Sequence, residues 1–210
     1  MIVLAYGIAR FLLIILLSFY NKVRLYKLSE EPKSGAYLLA ANHASNLDPI
    51  FIGVKMRRPL FFMAKQELFR NKLFGALLKA VGAFPVKRES GDLGAIKKSL
   101  TILKRGDVLT MFPEGSRREG QEQAAAKHGA SLLAIKARVP VLPVYIEGSD
   151  SALPKGAKWI RPASVRIVVG NLITVEQLGA DTRDEALQRA TQRIIEGIAE
   201  AKDYLHRSIR

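Results

Sequence analysis

Residues 36–50 read AYLLAANHASNLDPI. The run Ala36–Ala41 is apolar and uncharged and reads as a strand. Pro32 and the Ser34-Gly35 pair supply the turn into it. The polar loop NHASNLD follows, and then Asp48-Pro49 opens an apolar stretch. Asp at an N-cap with Pro at the first helical position is a common helix start. Strand, polar loop and helix in that order form the repeating unit of an α/β domain.

The same alternation continues outward. Leu60–Ala64, Val108–Phe112, Val139–Ile146 and Val165–Val169 read as strands. Val81–Val86 contains Gly82 and Pro85, which restrict it to an edge or a bulge. Leu93, Ile96, Leu100 and Leu103 recur at helical spacing and stop at Gly106, a C-cap residue. Leu132, Leu133 and Ile135 lie on another helix, closed by Pro140. Thr182–Leu205 puts Leu187, Ala190, Ile194, Ile198 and Leu205 on one helical face. The expected fold is a single α/β domain, a mixed and mostly parallel sheet flanked by helices.

The chain has 210 residues, with 33 Lys and Arg against 19 Asp and Glu, for a net charge of +14. An excess of that size speaks about partners: nucleic acid, an anionic membrane, phosphorylated small molecules or an acidic carrier protein. There is no Cys, which excludes disulfides, thiol catalysis and thiolate metal sites. The first twenty residues, MIVLAYGIARFLLIILLSFY, are apolar apart from Arg10 and a few small or hydroxyl-bearing groups. Their charge follows the apolar run, at Lys22, Arg24 and Lys27, unlike a cleaved signal peptide. Twenty helical residues are just long enough to span a bilayer core. Arg10 at the centre would cost about 2.5–3.5 kcal/mol, and Leu, Ile, Val and Phe return roughly 0.3–0.6 kcal/mol each. A span and an interfacial helix with Arg10 snorkelling are both open. The basic cluster places the rest of the chain on the cytoplasmic side. The expected division is a membrane-associated helical segment over 1–30 and an α/β domain over 31–210. A basic stripe interleaved with aromatics is lacking, so no specific nucleic-acid partner is expected.

Three histidines are present. His206 falls near the C-terminus and His128 at a helix start, positions suited to solvated surface residues. His43 instead follows the apolar strand Ala36–Ala41, where α/β sheets place their ligand crevice. Asp48, five residues on, is near enough to fix the ring tautomer and stabilise an imidazolium. The pair then forms the base and orienter of a triad, with a substrate hydroxyl in place of serine. Asp48 serves equally as a plain helix cap, and the two roles are compatible. In MFPEGSRREG, residues 111–120, Gly115 permits close backbone approach and Ser116 offers a hydroxyl. Arg117 or Arg118 can hold phosphate bidentately; a polar surface turn is the alternative. Lys65 after LFFMA, and Lys87 and Arg88 after GAFPV, end apolar runs in the same way. If these strands share a direction, their ends gather cations around His43.

In order, NHASNLD, GAFPVKR, FPEGSRR and VPVLPVYI resemble the four blocks of the glycerolipid acyltransferases, and of 1-acylglycerol-3-phosphate acyltransferases in particular. The resemblance spans Ala36–Ile146. It implies that His43 is the general base and Asp48 its partner. It implies that Arg88 helps bind the glycerol phosphate, and that Glu114, Gly115, Ser116 and Arg117 shape the phosphate and acceptor site. Lys65 matches a lysine often found between the first two blocks. Pro140 and Pro143 would line the pocket floor or acyl path. Lys127 and Gly129 are similar to the family's Phe-Lys-x-Gly stretch, although Ala126 replaces the aromatic residue.

The implied reaction moves a fatty acyl group from acyl-CoA or acyl carrier protein to the free hydroxyl of lysophosphatidate, giving phosphatidic acid. It needs no metal and no cofactor beyond the acyl co-substrate. The implied partner is a phospholipid membrane, with the protein on the cytoplasmic face of the cell membrane. Acylation of glycerol-3-phosphate or another lysophospholipid is the alternative chemistry. A basic membrane-surface or nucleic-acid-binding protein is the non-enzymatic one.

Overall fold

The computed structural model describes residues 20–87, 92–113, 128–157, 159–179 and 182–208. Seven strands form one sheet: β1 (Asn21–Lys27), β2 (Tyr37–Ala41), β3 (Leu60–Lys65), β4 (Ala83–Val86), β5 (Val108–Met111), β6 (Val141–Glu147) and β7 (Ala163–Val169). Their spatial order is β1-β7-β6-β2-β5-β3-β4. β6, β2, β5, β3 and β4 run parallel, β7 is antiparallel to β6, and β1 is parallel to β7. The C-terminal ends of five strands therefore leave the sheet along one edge. His43 follows β2 there, so the shared strand direction that the sequence reading required is present.

β2 lies between β5 and β6, and all five of its residues are buried. Helix α1 (Asp48–Lys55) covers one face of the sheet through Phe51 and Ile52, against Tyr37, Leu39 and Ala41. The other face carries Leu38 and Ala40. It is covered by α3 (Leu93–Lys104), α4 (Gly129–Ala137) and α7 (Asp184–Ser208). Strand alternation thus sends one short apolar run into two cores at once. Each fully buried Leu contributes about 1.5–3 kcal/mol of transfer free energy. The described residues also form α2 (Lys72–Ala80), α5 (Ser149–Ala152) and α6 (Val175–Leu178).

One segment differs from the sequence reading. Asn21–Lys27, assigned above to the N-terminal helical segment, is an edge strand paired with β7 from Asn21↔Ala163 to Lys27↔Val169. Val23 and Leu25 pack against the core while Lys22 and Arg24 stay exposed, a period-2 pattern. The described sheet therefore begins at Asn21. Among the described residues no helix is long and apolar enough to cross a membrane. The apolar stretch expected to contact the bilayer falls outside them. The edge assignment from Gly82 and Pro85 is matched, since β4 closes the sheet. Gly82 has φ +90°, and a Cβ there would stand 2.1 Å from the Leu60 carbonyl oxygen.

The N-terminal ends of β2 and β3 are tied by Glu31, which is 5% exposed. Its carboxylate accepts from Tyr37 Oη at 2.8 Å, Arg57 N at 2.7 Å and Arg58 N at 3.1 Å. Glu31→Ala removes the acceptor that these three donors share. The expected loss is about 2–3 kcal/mol of unfolding free energy in urea, with activity per folded molecule unchanged.

Candidate active site

The loop after β2 is held from two sides. Asn42 continues the β2–β6 ladder with its side chain. Its Nδ2 donates to the Ile146 carbonyl, and its Oδ1 accepts from Ile146 N, both at 2.8 Å. Asp48 holds the loop from the other end. It is fully buried, and its Oδ2 accepts from Ala44 N, Ser45 N and His43 Nδ1, each at 2.8 Å. Oδ1 is buried with no hydrogen-bond partner among the described residues. The helix N-cap is Leu47, without a side-chain capping bond, and Asp48 is the first helical residue. Asp48 is thus not the cap expected from sequence. Its carboxylate turns back into the loop and closes a ring around His43.

A carboxylate oxygen can only accept, so His43 Nδ1 donates. That places the available lone pair of the neutral ring on Nε2. The His43 side chain is 13% exposed, within reach of a substrate but shielded from bulk water. Phe112 stacks on the ring, with centroids 4.2 Å apart and planes at 24°. β5 lies beside β2 with Ala40 opposite Met111, which carries Phe112 to the level of the loop. Ser45 Oγ adds a tie to the Leu153 carbonyl at 3.3 Å. Position and tautomer of the base are both fixed before substrate arrives.

The remaining sequence-predicted residues divide into two groups. Lys65 ends β3 on the same edge and is exposed, with β5 standing between its strand and β2. Arg88, Glu114, Gly115, Ser116 and Arg117 lie outside the described residues, as do Arg118 and Lys127. Pro143 is buried inside β6 against α7, where a Cβ on Gly197 would meet its Cγ at 2.7 Å. Its observed contacts are with the helix and sheet core. Asn42 and Phe112 are positioning residues that the sequence did not assign, because both contacts depend on which strands are neighbours.

His206 is exposed, as expected of a solvated residue, whereas His128 is half-buried, and both are hydrogen-bonded. His128 Nδ1 lies 3.0 Å from Thr191 Oγ1, joining α4 to α7. His206 Nε2 lies 2.9 Å from Glu147 Oε2, and Arg166 bonds the same carboxylate. Burial pushes the Glu147 carboxyl up, but the His206 hydrogen bond and the Arg166 charge outweigh it and hold Glu147 below the ordinary glutamate value. A depressed carboxylate stabilises the fold above its unfolded-state pKa. That contribution is lost as pH falls through the lower, folded-state value. The difference in unfolding free energy between wild type and Glu147→Gln should therefore shrink on acidification below about pH 4.5. A difference constant from neutral pH to that range would contradict the linkage.

The site is thus a histidine bonded to a buried carboxylate just after a central parallel strand. A family model described as Acyltransferase matches residues 22–147. The chain belongs to the acyltransferase family. It is 28% identical over 192 residues to the 1-acyl-sn-glycerol-3-phosphate acyltransferase of Bacillus subtilis, covering 91% of this chain and 94% of that one. It is 36% identical over 160 residues to the protein of the same name from Streptococcus pneumoniae, covering 75% of this chain and 57% of that one. Its fold is similar to the crystal structure of the 1-acyl-sn-glycerophosphate (LPA) acyltransferase PlsC from Thermotoga maritima. The TM-score is 0.72 at 22% identity, over 94% of this chain and 79% of that one. The acyltransferase match begins within β1 and ends with β6. It thus takes in every strand whose C-terminal end lies on the His43 edge.

Proposed function

We propose that this acyltransferase moves a fatty acyl group from a thioester to the free hydroxyl of 1-acylglycerol-3-phosphate, forming phosphatidic acid. The observation that carries the reading is the 2.8 Å bond from His43 Nδ1 to the buried Asp48, which leaves Nε2 as the only ring nitrogen able to take a proton. The names of the relatives from Bacillus subtilis and Streptococcus pneumoniae support the choice of acceptor.

In the reaction, Nε2 accepts the hydroxyl proton as the lipid oxygen attacks the thioester carbonyl. The tetrahedral intermediate collapses with loss of thiolate, which recovers the proton from the imidazolium. The Asp48 carboxylate stabilises that imidazolium and keeps the ring from flipping. No acyl-enzyme forms in this scheme. Arg88 and Arg117 would grip the acceptor phosphate, with Lys65 adding charge at the rim. The net charge of +14 favours encounter with either donor, acyl-CoA or acyl carrier protein, and with anionic lipid. The site of action is the cytoplasmic face of the cell membrane.

A donor-by-acceptor panel with the purified full-length chain tests the reading. Labelled acyl-CoA and acyl carrier protein are each offered to lysophosphatidate, glycerol-3-phosphate and a neutral lysophospholipid. The expected product is labelled phosphatidate from the lysophosphatidate arm. Label appearing only with glycerol-3-phosphate would move the acceptor, and no transfer in any arm would reject the enzyme reading.

A further inference from the structure

Large apolar side chains that stand in water are unevenly placed on this molecule. Among the described residues, all of them but Ile195 lie on segments attached to the sheet edge that carries His43. At one end of that edge, Tyr20 precedes β1 and Trp159 precedes β7, and they are 51% and 81% exposed. At the other end, Leu68, Leu73, Phe74 and Leu77 are exposed between β3 and β4, and Leu93 opens α3 after β4.

The second group is built as an amphipathic element. In α2 only Gly75 is buried; a Cβ there would meet the Phe69 carbonyl oxygen at 3.1 Å. Leu73, Phe74 and Leu77 fall at i, i+1 and i+4 on one stripe, and Lys72 and Lys79 share another. Leu73 is 85% exposed, so the stripe is not a core face. Lys65 and Arg70 flank the segment, and Glu67 is the one carboxylate between Lys65 and Ala80. Across the edge, Lys22 and Arg161 stand next to the Tyr20 and Trp159 group. Apolar side chains ringed by cations, with Trp and Tyr among them, match the chemistry of an anionic bilayer interface.

We propose that this edge docks on an anionic lipid bilayer, with the apolar stripe of α2 and Trp159 entering the interface at opposite ends of the sheet. The mouth beside His43 then faces the bilayer, and a lipid acceptor reaches the base without leaving the membrane. The proposal takes from the acyltransferase reading only that the acceptor is a lipid.

Two features of the sequence make the test direct. Trp159 is the single tryptophan, and the chain has no cysteine. Unmodified full-length protein is titrated with vesicles of phosphatidylglycerol and phosphatidylcholine while Trp159 emission is followed. Leu73→Cys and Ile195→Cys, each carrying an environment-sensitive dye, are titrated in parallel. Trp159 and the dye at Leu73 should shift to the blue and be quenched by lipids brominated in the acyl chain, and the dye at Ile195 should do neither. Vesicles of phosphatidylcholine alone should bind at least about tenfold more weakly. Water-exposed emission from Trp159 and Leu73 while the protein sediments with vesicles would overturn the proposal. So would a shift at Leu73 that needs no lipid and grows with protein concentration, which would mark a second copy as the occupant. Neither readout requires turnover, so the result is independent of whether the acceptor has been identified correctly.

Discussion

Asp48→Asn should keep its fold and lose acyl transfer by about 10²–10⁴-fold. The amide oxygen can still accept from Ala44 N and Ser45 N, both 2.8 Å from Oδ2 in the wild type. His43 Nδ1 bonds the same oxygen, so it keeps its acceptor, and the amide nitrogen takes the unpartnered place of Oδ1. What the amide lacks is the negative charge that stabilises the imidazolium, so proton transfer to Nε2 becomes unfavourable. Asp48→Ala should be worse in a second way. It leaves the two backbone N–H groups and the ring nitrogen without their acceptor beside a fully buried position. The expected cost is about 2–4 kcal/mol of unfolding free energy, against less than about 1.5 kcal/mol for the amide. Urea unfolding of both variants, run beside their turnover numbers, separates stabilisation of the imidazolium from support of the loop. Equal activity in Asp48→Asn and wild type would show that the carboxylate is a helix-start residue and no more.

Much of this site is legible in the stretch from Ala36 to Pro49, and the reason is local. An apolar strand, a polar loop and an Asp-Pro helix start are each encoded by neighbouring residues. The common direction of β2, β3, β4 and β5 is only a condition in the sequence reading, and it is the structure that shows their parallel pairing. What sequence did not reveal depends on lateral neighbours. Phe112 reaches His43 because β5 lies beside β2, and Asn42 bonds Ile146 because β6 lies on the other side. Neither adjacency is written in the chain order. β1 was hidden for a different reason. Lys22, Arg24 and Lys27 looked like the basic flank of an apolar segment, and the alternation with Val23 and Leu25 runs for only seven residues. α2 escaped notice because its apolar residues face outward and so build no core signal. Asp48 was placed one position too early, as the cap, since a side chain that caps and one that turns back to orient a histidine carry the same sequence signature.

Removing the base itself should have the largest effect of any single change. His43→Ala deletes the proton acceptor but not the loop, because Asp48 still holds Ala44 and Ser45 through their backbone N–H groups. Phe112 loses a stacking partner worth about 0.5–1.5 kcal/mol, a tolerable loss. Binding of both substrates involves other groups, so the effect belongs in kcat, with KM for the acceptor changed only a few-fold. The decisive measurement is formation of labelled phosphatidate from an acyl thioester and lysophosphatidate in phospholipid vesicles, by wild type and His43→Ala, with melting curves recorded for both. The expected result is a kcat at least about 10²–10⁴-fold lower in the variant at an unchanged unfolding temperature. A folded His43→Ala protein that makes phosphatidate within about tenfold of the wild-type rate would contradict a histidine base at this site.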